Sequence, residues 1–189
     1  MWKSKSGVPF RRSQVNVIGA RGLPDNAGKK RRSLMTTLTL KQAEKIIDAI
    51  LKRARQKKCR PMSVVVVEPG AIVKAFKKED GSAMMRFEMA MGKAYAALAL
   101  GRSSSLVRLR TEEKPLFMDF LFKASQDKIF AEGGGLLIRG KDGELLGAVG
   151  VTGDKEMKDE ELAAHGIRAA GLKTDEDCAG SAHHVRLAN

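Results

Sequence analysis

Residues 133–151 read GGGLLIRGKDGELLGAVGV, and this stretch sets the architecture of the whole chain. Two apolar runs, 136–138 and 145–151, flank Gly140-Lys141-Asp142-Gly143, which is a hairpin-turn pattern. The pattern predicts two antiparallel strands, and they are the last two strands along the chain. The triple glycine 133–135 interrupts the chain just before the first of them.

The region upstream predicts a helix followed by another hairpin. Thr39 and Gln42 form a capping-box pattern, and apolar residues recur at helical spacing from Ala43 to Ala54. After Pro61, the uniformly apolar run 62–67 indicates a strand that is covered on both faces. A Pro-Gly turn at 69–70 then leads into a second strand near 72–76.

Further helices are predicted between and after the two hairpins. A long helix spans about 82–100 with Gly101 as its stop, and two short helices follow at 103–110 and 115–122. The second short helix is expected to bring Leu116, Phe117, Phe120 and Leu121 to the core. A final helix begins after Asp154, its expected cap, and stops at Gly171.

This order of elements predicts the α+β class. Two hairpins, separated along the chain by helices, give an antiparallel sheet of about five strands with helices packed on it. The chain has no βαβ repeat, which argues against a Rossmann sheet. The domain is expected to span 35–171, followed by a flexible C-terminal tail at 172–189.

Positive charge concentrates at the N-terminus. Residues 1–34 hold nine basic residues and one acid, and so carry +8 of the formal net charge of +13. Their composition predicts a disordered basic extension. The extension is open to several interpretations: a nucleic-acid-binding arm, a transit peptide, an expression scar, or translation from a start upstream of Met35.

The sequence also argues against a membrane protein, a secreted protein and a zinc or disulfide framework. No apolar run approaches the roughly 18 residues of a membrane span, and 1–34 has no apolar core of a secretory signal, so a cytoplasmic protein with no membrane partner is expected. Cys59 and Cys178 form no C-x-x-C pair, which suggests neither a zinc site nor a disulfide framework.

Four segments in this order resemble the motifs of the GlcG/HbpS-like family, which includes the C-terminal domain of PduO-type proteins. They are VVVVEPG at 64–70, KEDG at 78–81, GKAYAA at 92–97 and GAVGVTG at 147–153. The acidic start of the last helix, Asp159-Glu160, follows them at the spacing that is typical of the family. The match runs from about Leu38 to Gly171.

The resemblance implies a profilin/PAS-like fold, a tendency to form homo-oligomers and, in some members, binding of haem or a corrinoid. The small-residue surface of the long helix around Gly92 is expected to offer a place for close contact between subunits. Under this resemblance, His165 is the candidate ligand of haem iron, because Gly166 beside it would leave space for the cofactor. A helix-surface histidine is the alternative.

Other candidate site residues come from charge and glycine content. Gly133, Gly134 and Gly135 could present backbone N–H groups to a propionate, carboxylate or phosphate, with Lys93 as a cationic donor. Asp159 is a candidate general base, although a carboxylate at a helix start is also favoured by the helix dipole alone. The resemblance places Lys93, Gly134 and Asp159 near strand ends, where a pocket could form.

Three functions remain open at this point. The first is a haem-, tetrapyrrole- or small-ligand-binding accessory protein. The second is an enzyme on an organic acid in a catabolic pathway, an isomerase, lyase or hydrolase that uses Lys93 and Asp159. The third is nucleic-acid binding through residues 1–34.

Overall fold

The structure is a computed structural model, and it describes residues 37–178. The basic extension and most of the predicted tail lie outside these residues, so the predictions made for them stay predictions. The elements in chain order are α1 (Leu40–Gln56), β1 (Ser63–Val67), β2 (Val73–Lys78), α2 (Arg86–Leu100), α3 (Ser104–Glu113), α4 (Pro115–Ala124), β3 (Gly135–Arg139), β4 (Leu145–Thr152), α5 (Glu156–Ala169) and α6 (Asp175–Cys178).

The strands form one antiparallel sheet in the order β2-β1-β4-β3. The predicted α+β class is confirmed, with four strands in the described residues rather than about five. One further pairing occurs at the β3 edge, and it involves a single residue. Arg139 and Lys173 exchange two backbone hydrogen bonds of 2.9 Å each, and this isolated bridge does not extend into a strand.

Helices cover both faces of the sheet, which explains why β1 is buried at every position. Val64 and Val66 face the core formed with α1 and α5. Val65 and Val67 alternate to the other face and pack with the alanines of α2. The uniformly apolar strand predicted from the sequence is therefore confirmed.

Close approach between α2 and β4 depends on small residues. A Cβ added at Gly150 would lie 1.9 Å from the carbonyl oxygen of Ala90, a distance that no side chain allows. The glycines of β4 thus bring the backbone of α2 against the sheet. This contact holds α2, and with it Lys93, over the end of β4.

The N-terminal helix follows its sequence signals. Thr39 and Gln42 form the predicted capping box. The backbone N–H of Gln42 donates to Thr39 Oγ1 at 3.2 Å. Gly101 ends α2 in the left-handed conformation, at φ 64°. The prediction that Asp154 caps α5 is wrong. Helix α5 begins at Glu156 after Lys155, and no side chain caps it.

Helix α4 faces the core differently from the prediction. Met118 is buried, whereas Leu116 is 88% exposed and Phe120 is 66% exposed. The residues of α4 are almost all apolar, so helical periodicity does not select which side packs inward. The expectation that Leu116, Phe117 and Phe120 enter the core is wrong.

The beginning of the predicted tail packs against the domain. Leu172 and Thr174 are buried, and Asp175 forms an ion pair with Arg139. Residues 172–178 therefore belong to the folded domain, in contrast to the flexibility predicted from residue 172. The apolar Leu172 and the pairing at Lys173 supply the burial that composition alone does not reveal.

Candidate functional site

A buried ion pair joins two of the residues singled out in the sequence. Lys93 Nζ, on α2, donates to Asp159 Oδ2, on α5, at 2.9 Å and to the carbonyl oxygen of Val151 at 3.2 Å. The side chains of Lys93 and Asp159 are only 3% and 1% exposed. The structure thus brings Lys93, Asp159 and Gly134 together, since a Cβ at Gly134 would lie 3.3 Å from Lys93 Nζ.

The electrostatics of Asp159 reflect this enclosure. Burial raises the pKa of the Asp159 carboxyl, while Lys93 and the backbone N–H of Asp154, 3.0 Å from Oδ1, act in the opposite direction. Both charged groups already have partners inside the protein. Their catalytic roles stay a prediction, and contact with a substrate would require this pair to open.

The triple glycine has internal partners as well. The N–H of Gly133 donates to Glu156 Oε2 at 3.5 Å, and the N–H of Gly135 donates to Ser104 Oγ at 2.7 Å. A Cβ at Gly134, where φ is +115°, would lie 2.5 Å from the carbonyl oxygen of Val151. The glycines therefore allow close packing of α2, α5 and β4, and contact with an external anion stays a prediction.

The structure places His165 on α5. Its side chain is exposed. The space expected beside Gly166 is filled by α1, because a Cβ at Gly166 would lie 2.5 Å from Ile50 Cγ1. The role of His165 as an iron ligand therefore stays a prediction, and the space on which it relied is occupied by the protein core.

The Gly92 surface is also occupied from within the chain. A Cβ at Gly92 would lie 2.6 Å from Phe130 Cβ, and the N–H of Phe130 donates to the carbonyl oxygen of Gly92 at 3.2 Å. The segment before β3 thus covers this part of α2. The predicted subunit contact around Gly92 has no room there.

A large cavity lies elsewhere, between the start of α3, strand β3 with its turn into β4, helix α5 and residues 174–178. Its volume is about 1180 Å³, slightly above the range of about 300–1,000 Å³ that is usual for ligand pockets. Apolar residues form much of its wall: Leu106, Leu136, Leu137, Leu145, Met157 and Ala164. Neither His165 nor Lys93 lines it.

Arginines in the cavity wall differ in their pairing. Arg139 pairs with Asp175, and Arg168 pairs with Asp177 at 3.0 Å and with Glu176 at 3.5 Å. Arg102 is half-buried in the wall, and within residues 37–178 its guanidinium makes no hydrogen bond or ion pair. Arg102 is therefore available to an anionic group that enters the cavity.

Ser103, which follows Arg102 in the chain, begins a hydrogen-bonded chain of three polar side chains in the same wall. Ser103 Oγ and Ser105 Oγ are 2.9 Å apart, and Ser105 Oγ donates to Glu160 Oε1 at 2.9 Å. Burial raises the pKa of the Glu160 carboxyl, and the negative charges of Glu176 and Glu156 raise it further. The cavity thus combines an apolar wall, a cation and a carboxyl whose pKa is raised.

Sequence reasoning missed Arg102 and the serines. The Gly-Arg-Ser-Ser-Ser run at 101–105 is a helix-boundary signal, and it predicts a cap rather than a cavity wall. Only the long-range packing of α3 against α5 gives these residues a common surface. Met157 was missed for the same reason.

Residues 37–178 contain no cluster of three or more His, Cys, Asp or Glu side chains that could hold a metal ion. In the same range, no helix has the length and apolar character needed to cross a membrane.

Solved structures share this fold. A crystal structure of a PduOC–haem complex is 23% identical, with a TM-score of 0.66, and the match covers 74% of this chain and 99% of that chain. The crystal structure of HbpS is 26% identical, with a TM-score of 0.62, over 80% of this chain and 97% of that one. The Klebsiella pneumoniae protein ORFY is 23% identical, with a TM-score of 0.65, over 75% and 96%.

Comparison with families gives the assignment. No curated protein matches the chain significantly. The family model described as "Haem degrading protein HbpS-like" matches residues 38–168, which include every element from α1 to β4 and nearly all of α5. This chain therefore belongs to the HbpS-like family.

Proposed function

We propose that this protein is an accessory protein that binds haem or a related tetrapyrrole in the cavity between α3, β3, α5 and α6. The observation that carries the proposal is the cavity itself, whose volume is about 1180 Å³ and whose wall is rich in leucine. Burial of a large planar apolar ligand is favourable by roughly 25 cal/mol per Å² of apolar area removed from water.

The comparisons support the choice of ligand. The matching family model carries the description "haem degrading", and the PduOC neighbour was crystallised with haem. A corrinoid is the alternative ligand that we propose for this chain.

The residues in the cavity wall fit a tetrapyrrole in two respects. Leu106 and Leu145 offer apolar surface to the macrocycle, and Arg102 offers a guanidinium to a propionate. The thioether of Met157 also lines the cavity, and thioethers are known axial ligands of haem iron. When bound, haem would supply the redox and oxygen chemistry of its iron, while the protein supplies enclosure and charge.

Titration with hemin and with cobalamin tests the proposal. The purified protein should shift the Soret band of hemin saturably at micromolar concentrations or below, which corresponds to a binding free energy of about −8 kcal/mol or better. Metal-free protoporphyrin serves as a control that separates burial of the macrocycle from ligation of iron. The absence of saturable binding of any of these ligands would reject the proposal.

We also propose that the protein forms a homo-oligomer through the exposed face of α4. Leu116 and Phe120 lie one helical turn apart and are both exposed, and Phe117 beside them is 45% exposed. Apolar side chains clustered on one helix face are the usual mark of a protein contact. A second copy of the chain presents the same apolar side chains and would bury them, beside the exposed Lys123–Asp119 ion pair of the same helix.

A further inference from the structure

The cavity holds a polar corner that the proposed tetrapyrrole site does not by itself explain. Arg102, Ser103, Ser105 and Glu160 all line the cavity. Arg102 and Ser103 are consecutive, Ser103 and Ser105 touch at 2.9 Å, and Ser105 joins Glu160 at 2.9 Å. A purely apolar ligand would leave these groups without a role, and it would desolvate the guanidinium of Arg102 at a cost.

We infer that this corner is a carboxylate subsite: Arg102 binds a carboxylate of the ligand, and Glu160 takes up a proton when the ligand binds. The inference rests on the proposed function for the location of the ligand, and it adds the chemical group that is recognised and the linkage to protons. It applies to any carboxylate ligand, whether a tetrapyrrole propionate or a small organic acid.

Arg102 is suited to the anchor because the other cavity arginines are already engaged. Arg139 and Arg168 form ion pairs with acidic residues of α6. Arg102 has no such partner within residues 37–178, so binding an anion breaks no existing ion pair. A guanidinium also matches the two oxygens of a carboxylate with two parallel N–H donors.

Glu160 is suited to proton uptake because of the charges around it. Glu156 on α5 and Glu176 on α6 are acidic neighbours, Lys93 on α2 is the basic one, and α3 contributes the hydroxyl of Ser105. Arg108 on α3 is paired with Glu156 at 3.3 Å. A further anion in the same cavity makes the ionised form of Glu160 less favourable, so the carboxyl gains a proton.

The glycine run contributes to this corner by leaving room for the Glu160 carboxylate. A Cβ at Gly133 would lie 3.2 Å from Glu160 Oε2 and 3.1 Å from Glu156 Cβ. The carboxyl of Glu160 is therefore held between Gly133 and Ser105. This placement fixes its orientation toward the serines rather than toward bulk solvent.

The first test compares hemin with its dimethyl ester, which lacks both carboxylates. Wild-type protein should prefer hemin by about tenfold or more, the usual effect of a charge-assisted hydrogen bond. Arg102→Met should bind the two ligands equally. Arg110→Met is the control, since Arg110 lies on α3 over the Phe117 ring at 5.2 Å and does not line the cavity. A preference that survives in Arg102→Met would overturn the inference.

The second test measures the binding of benzoate by calorimetry from about pH 5 to about pH 8. Benzoate stays ionised over this range. Wild-type affinity should fall as pH rises, by at most about tenfold per pH unit, whereas Glu160→Gln should bind with no pH dependence in this range. An equal pH dependence in both proteins, or benzoate binding that is insensitive to Arg102→Met, contradicts the inference.

These experiments separate the two claims. Hemin binding without a carboxylate preference would contradict the subsite and leave tetrapyrrole binding intact. Benzoate binding that depends on Arg102, in a protein that does not bind hemin, would contradict tetrapyrrole binding and support the subsite. Failure of both ligands to bind rejects both claims.

Discussion

Lys93 and Asp159 meet at 2.9 Å in the interior of the domain, although 66 positions separate them along the chain. This pair joins α2 on one face of the sheet to α5 on the other, at the end of β4 where Val151 also accepts from the lysine. A buried pair contributes little net stability relative to an apolar pair, but loss of one partner leaves an uncompensated charge. The pair therefore fixes the relative positions of two helices, one of which, α5, forms part of the cavity wall.

Removal of one partner should be costly. Lys93→Met or Asp159→Asn is expected to lower the free energy of unfolding by about 3–5 kcal/mol, because the remaining group stays buried without its counter-charge. Urea denaturation measures the loss. The double variant Lys93→Met/Asp159→Asn should be clearly more stable than the sum of the single changes implies. Simple additivity would show that the two residues do not act as a pair.

Glu160 should make stability depend on pH. Burial raises the pKa of its carboxyl in the folded state, so the folded protein binds the proton more tightly than the unfolded chain. The contribution of Glu160 to stability is then greatest below its unfolded pKa of about 4.3, and it is lost as pH rises through the folded pKa. Glu160→Gln should remove this loss, so the variant gains stability over wild type with increasing pH. Parallel thermal-unfolding curves against pH would refute the assignment.

Gly134 should be intolerant of any side chain. Gly134→Ala places a Cβ 2.5 Å from the carbonyl oxygen of Val151 and 2.9 Å from Asp159 Cβ, at φ +115°, so a loss of about 3 kcal/mol or more is expected. Gly143→Ala is the control, because φ is +85° there and nothing lies within 4 Å of the added Cβ. That variant should lose only about 1–2 kcal/mol. Equal losses in chemical denaturation would show that backbone conformation, and not crowding, decides both sites.

The face of α4 should govern assembly. Leu116→Ser/Phe120→Ser is expected to shift the protein toward monomer in sedimentation velocity experiments, with little loss of stability because both side chains are exposed. Ile72→Ser, at another exposed apolar position, is the control and should leave assembly unchanged. An unaltered sedimentation coefficient in the α4 variant would exclude this face as the contact.

Much of the fold could be predicted from the sequence because local signals agreed with the tertiary structure. The capping box at Thr39, the fully apolar run of β1 and the glycine stop at Gly101 each specify an element by short-range physics. The α4 face could not be predicted, since an almost wholly apolar helix has no periodicity to orient it. The Lys173 bridge could not be predicted either, because it depends on a long-range pairing of only one residue.

The candidate site divides in the same way. The proximity of Lys93, Gly134 and Asp159 was expected from motif order, and the structure places them together. Their burial was not foreseen, since a sequence does not show which face of a helix another helix will cover. Arg102 and Ser105 carry only the sequence signal of a helix start, and they become a cavity wall through the packing of α3 against α5.

The central claim is that the cavity between α3, β3, α5 and α6 binds the tetrapyrrole, and a cavity-filling variant tests it most directly. Leu106 lines the cavity and is 48% exposed, so Leu106→Trp should occupy ligand space without disturbing the core. Leu109, on the same helix and 43% exposed, lies outside the cavity and provides the control Leu109→Trp. In a hemin titration followed at the Soret band, wild type and Leu109→Trp should bind alike and Leu106→Trp should bind at least about tenfold more weakly. Equal hemin affinity in all three proteins would contradict the account.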